Sequence, residues 1–290
     1  MYVAINLTAY GQSDIGLVRQ RNEDAFVVAD LTGGGVLQEP RMVRFEIGER
    51  GALLAVSDGL GGHRGGEVAS ALVVESLCRT MSEQAGRESS EHVVQNATAR
   101  ANREVWEAAH RPGLERMGAT LTALYIHENA AYIAEVGDSR AYVLRGGDIT
   151  QVTRDQSYTQ LLVDEGAINE QEVENSPLQN MLLQAMGLEP SVKVALERLE
   201  LRQRDCLILC SDGLSKKLEA HELRDVVLSS PRLDAACDTL IRIANERGGE
   251  DNITVVAAGV SGDLPPPSAG ERVRDTIRVL RAYNPLEPQH

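Results

Sequence analysis

Leu53-Leu54-Ala55-Val56-Ser57-Asp58-Gly59-Leu60 is an apolar run that ends in Ser-Asp-Gly-Leu, and Leu207-Ile208-Leu209-Cys210-Ser211-Asp212-Gly213-Leu214 repeats that layout far downstream. Each reads as a buried strand that stops at a carboxylate, with a glycine permitting a sharp turn and close backbone approach. Aspartate is disfavoured in strands, so its recurrence at the same place points to a task rather than to packing. Two rigidly mounted carboxylates are what a hard-cation site requires.

Outward from these runs the periodicity alternates in blocks. Helices are predicted from near Gly66, with Ala69, Leu72, Val73, Ser76 and Leu77 as the inward stripe, and from a cap at Ser90 to Pro112. Thr32 to Glu49 reads as a hairpin or loop. Thr120–His127, Ala131–Val136, Ala141–Arg145 and Ile149–Val152 then read as four consecutive strands. Gly137-Asp138-Ser139 and Gly146-Gly147 fit tight turns, so a single antiparallel meander is expected. Arg154 to Pro190 reads as a mostly helical, polar insertion, either a mobile flap or a rigid decoration, with capping-box spacing at Asn169 and Glu172. Strands return at Val192–Leu199, Cys206–Ser211 and Ile253–Val260, with helices over Ala220–Leu228 and Asp234–Glu246. Three consecutive prolines mark a linker after Leu264, and Ser268–Leu280 is expected to form one short helix. Strands in runs and helices in pairs define an α+β layered fold, with helix pairs covering the outer faces of two stacked sheets. The organisation expected is one catalytic domain over 1–263, with 154–190 as the flap, and a linker and short tail over 264–290.

The 290 residues are 42% hydrophobic and 25% charged, which is a globular composition, and with 3% aromatics the core must be aliphatic. A net charge of −14 argues against nucleic acid as a partner, because a phosphate backbone needs a basic face. Cys78, Cys206, Cys210 and Cys237 form no CxxC pair and read as reduced core residues of a reducing compartment. No apolar run reaches the ~20 residues of a membrane span, and Met1–Gly11 lacks the features of a signal peptide. A soluble, cytoplasmic protein without a direct membrane span is expected.

Four acids share one grammar, an apolar strand followed by Asp in a turn with Gly or Asn: Asp58-Gly59, Gly137-Asp138, Asp212-Gly213 and Asp251-Asn252. Alone, each is ordinary turn chemistry. Together at one end of a layered sheet they would repel and raise one another's proton affinity unless divalent cations neutralised them. All-oxygen ligation suits Mg²⁺ or Mn²⁺, and no His or Cys pattern suggests zinc.

Seven ordered motifs carry a resemblance. They are Ser13-Asp14-Ile15-Gly16-Leu17-Val18-Arg19 with Asn22-Glu23-Asp24; Ser57-Asp58-Gly59-Leu60-Gly61-Gly62-His63; Gly66-Glu67-Val68-Ala69-Ser70; Gly118-Ala119-Thr120-Leu121-Thr122; Val136-Gly137-Asp138-Ser139-Arg140; Cys210-Ser211-Asp212-Gly213-Leu214; and Gly249-Glu250-Asp251-Asn252-Ile253-Thr254. From roughly Thr8 to Val260 the chain resembles the bacterial metal-dependent serine/threonine protein phosphatases of the type 2C-like (PPM) family. The resemblance implies a four-layer α-β-β-α sandwich, two stacked and mainly antiparallel β-sheets flanked by helix pairs, with a binuclear Mn²⁺ or Mg²⁺ site at one end. It implies that Asp58 bridges two tightly bound ions, that Gly59 offers its carbonyl, that Asp212 and Asp251 complete one ion, and that Glu23 and Asp24 hold metal-bound waters. Asp138 with Asp212 would form a weaker third site. Arg19 would grip the substrate phosphate; its plainer role would be a surface pairing with Glu23. A metal-activated water would attack phosphorus without a phosphoenzyme intermediate.

The leaving oxygen needs a proton, and His63 or a metal-bound water could supply it. Departures from the family pattern are Ser176-Pro177-Leu178-Gln179-Asn180 for a His-Pro-x-Arg-Asn motif, Gln184 for Arg, and Arg204 for Gly. The implied partners are phosphorylated proteins and a cognate Ser/Thr kinase, with the chain acting as a monomer. The alternative is a catalytically silent module of the same fold that binds phosphoproteins, whose mark would be missing metal ligands; none of the aligned acids is missing. A third reading is a hydrolase of small phosphoesters.

Overall fold

The computed structural model describes residues 4–61, 65–169, 172 and 176–285. Its elements in chain order are β1 (Ile5–Asp14), β2 (Asp24–Asp30), β3 (Val36–Leu37), β4 (Val43–Ile47), β5 (Ala52–Leu60), α1 (Gly65–Gln84), α2 (Ser90–Ala108), β6 (Gly118–Ala119), β7 (Leu121–His127), β8 (Ala130–Val136), β9 (Arg140–Arg145), β10 (Asp148–Gln151), α3 (Tyr158–Asp164), β11 (Ala195–Glu200), β12 (Cys206–Cys210), α4 (Asp212–Ser215), α5 (Ala220–Ser229), α6 (Leu233–Glu246), β13 (Ile253–Gly262), a 3₁₀ turn (Val273–Thr276) and β14 (Ile277–Arg281). One sheet runs β10-β9-β12-β13-β1-β4; the other runs β14-β11-β8-β7-β5-β2-β3, with β6 pairing antiparallel with the end of β5. The pairings among these strands are antiparallel.

Three apolar layers hold the sandwich together. Strand alternation explains them, because successive side chains leave opposite faces. In β5, Leu53 and Ala55 face α1 and α2, where they meet Val73, Leu77, Ala97 and Ala101. Leu54 and Val56 face the second sheet and pack with Leu7, Leu207, Leu209 and Val256. In β12 the other face, Cys206, Ile208 and Cys210, meets Leu223, Cys237, Leu240 and Ala244 of α5 and α6. A strand buried on both faces must be apolar throughout, which is why these two runs lack alternation. Each buried leucine or isoleucine contributes about 2 kcal/mol. The cysteines are unpaired. Among the described residues, no helix is long and apolar enough to cross a membrane.

Several sequence expectations change. The four-strand meander is two hairpins on different sheets: β7 pairs β8, β9 pairs β10, and the chain changes sheet between Val136 and Arg140. Gly137, at φ +104°, makes the crossing, so this turn joins layers rather than neighbours. Gly146 and Gly147, at φ +61° and +95°, form the expected two-residue hairpin. The second helix is capped by Ser89, whose Oγ accepts from the His92 N–H, rather than by Ser90. The insertion carries α3, and farther along the reciprocal Asn169–Glu172 cap is present with Glu172 helical.

The tail is not a helix. After the 3₁₀ turn, β14 adds to β11 at the sheet edge, with Leu199 opposite Ile277. A buried ion pair helps fasten it. Arg145 Nη2 and Nε donate to Asp205 at 2.7 and 2.8 Å, and Arg145 Nη1 donates to Thr276 Oγ1 at 2.8 Å.

Arg204, the departure noted before Asp205, has φ +69°. A side chain is strained in that region and glycine is not. Replacing Arg204→Gly is therefore expected to raise unfolding stability by about 1 kcal/mol, read as a higher denaturant midpoint at unchanged slope. An unchanged or lower midpoint would contradict the assignment of strain.

Candidate metal centre

The acidic residues reach one end of the sandwich through local constraints that can be followed pair by pair. Asp24 and Asp58 are direct partners across β2 and β5, so their carboxylates leave the same face at close range. Thr120 fixes the end of β5. Its Oγ1 accepts from the Asp58 N–H at 2.9 Å, and its carbonyl accepts from Ser57 Oγ at 2.6 Å. The Gly59 N–H donates to the Glu23 carbonyl at 3.0 Å. A Cβ on Gly59 would stand 2.1 Å from the Gly66 carbonyl oxygen and 2.5 Å from that of Glu23. Glycine is what lets β2, β5 and the start of α1 converge here.

Asn252 ties the β1–β2 loop to the start of β13. Its Nδ2 donates to the carbonyls of Ile15 and Arg21, each at 2.9 Å, and its Oδ1 accepts from the Glu23 N–H at 2.8 Å. That clamp sets Glu23 and Asp24 beside Asp251. Arg19 Nη2 donates to Asp251 Oδ2 at 2.8 Å with its side chain half exposed. The surface pairing of Arg19 with Glu23 gives way to this contact. Asp24 Oδ2 accepts from Thr254 Oγ1 at 2.6 Å and Ser211 Oγ at 2.7 Å.

Asp212 opens α4 rather than sitting in a simple turn. Its Oδ2 accepts from Lys216 Nζ at 2.5 Å, and the same Nζ donates to Asn180 Oδ1 at 2.7 Å. Asp138 sits on the sheet-crossing turn. Gln156 carries that turn: its Oε1 accepts from the Gly137 N–H at 2.9 Å, and its N–H donates to the Gly137 carbonyl at 2.8 Å. Gln184 Nε2 donates to Gln156 Oε1 at 2.7 Å and to the Lys193 carbonyl at 2.6 Å. The Gln184 departure thus falls on the support of the Asp138 turn.

Electrostatics shows that the acids feel one another. Burial, and then Asp24, Asp212, Asp138 and Asp251, hold the Asp58 carboxyl well above its usual range. Burial pushes Asp24 up to about 7, against its two hydroxyl donors and with Asp212 and Asp251 adding to the rise. Asp138 is likewise pushed up to about 7 by burial and then Asp212. Glu23 is raised, first by burial.

Two of these carboxylates keep a buried oxygen without a hydrogen-bond partner, Asp24 Oδ1 and Asp212 Oδ1. In each case the other oxygen is anchored by protein donors. Oriented, buried, unpartnered carboxylate oxygens suit hard divalent cations. Among the described residues, no three His, Cys, Asp or Glu side chains are already closed into a ligand array. Asp251 is turned toward Arg19 and Asp212 toward Lys216, which spreads the charge instead. His63 lies outside the described residues. A cavity of about 610 Å³, lined partly by Glu135 and Gln156, lies on the supporting side of the Asp138 turn, and none of the clustered acids lines it. Chemistry, not concavity, marks this site.

Sequence reading missed Asn252, Ser211, Thr254 and Lys216 as parts of the site. The first three lie within the quoted motifs, next to one acid while holding another: Ser211 and Thr254 donate to Asp24, and Asn252 accepts from the Glu23 N–H. Lys216 was signalled by its place four residues after Asp212 on a helical turn.

Comparisons with known proteins give the family and the fold's relatives. Residues 42–256 match the protein phosphatase 2C family model, and the chain belongs to that family. It is 36% identical over 261 residues to the serine/threonine protein phosphatase PstP of Mycobacterium tuberculosis, covering 89% of this chain and 46% of that protein, so it spans about half of that relative. It is 34% identical over 249 residues to the serine/threonine phosphatase stp of Listeria innocua, covering 84% of this chain and 92% of that protein. The crystal structure of M. tuberculosis PstP superposes with a TM-score of 0.75 at 34% identity, covering 90% of this chain and 99% of that one. The catalytic domain of PstP in complex with two manganese ions superposes with a TM-score of 0.74 at 34% identity, over 89% of this chain and 99% of that one. The α+β sandwich anticipated from sequence is the fold these neighbours share.

Asp24 and Asp138 bind protons up to about pH 7 in the folded chain and up to about 4 when unfolded. Between those limits the native state holds more protons, so stability falls as pH rises. The chelator-treated protein is expected to melt at progressively lower temperature from about pH 5 to 7. Mn²⁺ is expected to raise the melting temperature more at the upper end of that range. Differential scanning fluorimetry checks both, and a Mn²⁺ shift independent of pH would contradict the cluster's role.

Proposed function

We propose that this chain hydrolyses phosphoserine and phosphothreonine on proteins, using two tightly bound Mn²⁺ or Mg²⁺ ions and no phosphoenzyme intermediate. The observation that most supports it is the pair of buried, unpartnered oxygens on Asp24 and Asp212 within a cluster of mutually repelling acids. Asp58, Asp212, Asp251 and the Gly59 carbonyl would hold the ions, with Glu23 and Asp24 orienting water and Asp138 with Asp212 forming a weaker third site. When bound, the ions supply charge neutralisation and a nucleophilic water near neutral pH.

The chain's own residues supply the rest. Arg19 is half exposed, and its planar guanidinium can bind two phosphate oxygens while its Asp251 contact sets its direction. Burial pushes the Cys206 and Cys210 thiols up to about 12, so they stay protonated in the core and offer no nucleophile. Leu17 and Val18 precede Arg19 and are 69% and 64% exposed. Apolar side chains beside the phosphate grip suit a peptide around the phosphoamino acid, which favours protein substrates over small phosphoesters. His63 would donate the proton to the leaving oxygen. A cognate Ser/Thr kinase, cytoplasmic location and a monomeric state complete the reading. It is supported by the family, by unpaired cysteines, and by the absence of a membrane-crossing helix among the described residues.

The test is p-nitrophenyl phosphate hydrolysis with Mn²⁺, abolished by chelator and reduced at least a thousandfold in Asp58→Asn. Absence of turnover at any metal concentration would favour the silent phosphoprotein-binding module. Phosphothreonine peptides should release phosphate with higher kcat/KM than small metabolites, and the reverse ranking would point to the small-ester hydrolase.

Asp138→Ala should retain two tight cations by metal analysis while losing turnover; loss of both ions would remove Asp138 from its assigned place.

His63→Gln should slow phosphothreonine hydrolysis about a hundredfold and leave p-nitrophenyl phosphate nearly unaffected, since nitrophenolate departs without a proton. Equal effects on both substrates would exclude His63 as the acid.

A further inference from the structure

Lys216 stands apart from every other basic residue near the cluster. Two cations pair directly with acids of the cluster, Arg19 with Asp251 and Lys216 with Asp212, while Arg140, beside Asp138, is held by Asp155. Arg19 is accounted for by substrate phosphate. Lys216 is not. Its ammonium is held between two acceptors on different segments, Asp212 Oδ2 at 2.5 Å and Asn180 Oδ1 at 2.7 Å. An ammonium carries three donors, so two fixed acceptors define its position without using all of its capacity. It also lies close enough to Asp138 for its charge to act on that carboxylate.

We propose that the Lys216 ammonium is a built-in counter-cation for the Asp138–Asp212 pair, occupying the charge balance that a third divalent ion would otherwise supply and thereby weakening third-ion binding in this chain. The proposal rests on the metal-centre reading above. A divalent ion placed between Asp138 and Asp212 would lie against a fixed positive charge and would compete with it for Asp212 Oδ2. Asp212 Oδ1 is on the other side of that competition: it has no protein partner and is left to the tight pair. The lysine thus divides Asp212 between a side-chain cation and a metal cation. Its i,i+4 spacing from Asp212 across one helical turn is what brings the ammonium there.

The test is a Mn²⁺ titration of the metal-stripped full chain, following the EPR signal of free Mn²⁺. The unaltered protein and Lys216→Arg should take up two ions tightly and a third weakly. Lys216→Met should keep the two tight ions and bind the third at least tenfold more tightly. Should Lys216→Met fail to melt cooperatively, Lys216→Gln carries the same measurement. A third-ion affinity that is unchanged in the neutral variant, or that weakens, overturns the proposal. If the unaltered protein itself binds no tight pair, the metal-centre reading fails, and this proposal with it. That outcome differs from a retained pair with an unmoved third site.

Discussion

Mutual repulsion among buried carboxylates is the force that the rest of this molecule is arranged to withstand. Asp24, Asp58, Asp138, Asp212 and Asp251 come from five separate places in the chain, and at Asp58 burial and then the other four together raise the proton affinity. Left on flexible loops they would separate. They remain together because each is set at the end of a strand or helix that is buried on at least one face, and because neutral donors grip them. Thr254 and Ser211 hold Asp24, Thr120 holds the backbone of Asp58, and Gln156 holds the turn bearing Asp138. The three apolar layers supply the rigidity that such positioning demands.

Much of this was legible in the sequence, and for a physical reason. A strand packed on both faces must be apolar throughout, so the runs ending at Asp58 and Asp212 could be recognised without alternation. An acid closing such a run has no packing explanation, which made the cluster readable as a cluster. The two-residue hairpin at Gly146-Gly147 was equally local. What escaped was non-local. Nothing in Gly137-Asp138-Ser139 says that the strands on either side belong to different sheets, because a hairpin and a sheet crossing use the same turn chemistry. The tail was misread because a short amphipathic segment takes its form from its neighbour, and here the open edge of β11 makes it a strand. Asn252 gave no separate signal, since its three hydrogen bonds run to segments more than two hundred residues away.

Two of the departures from the family pattern, Gln184 and the Ser176–Asn180 stretch, fall on the support of the site. Gln184 links Gln156 to the Lys193 carbonyl, so an uncharged amide carries the turn of Asp138. Asn180, within the altered Ser176–Asn180 stretch, meets Lys216. These residues converge on the Asp138–Asp212 side of the site, while the Asp24–Asp58 pair keeps backbone-level constraints that only glycine at position 59 permits.

Strand β14 lies at the outer edge of its sheet, hydrogen-bonded to β11 on one side. Edge strands invite addition of further strands from other molecules, and positive charge along them opposes it. Arg278 and Arg281 lie on β14, with Arg274 in the turn that leads into it. By pairing with β11, this last described strand covers a hydrogen-bonding edge that would otherwise lie bare, and presents arginines at the new edge instead.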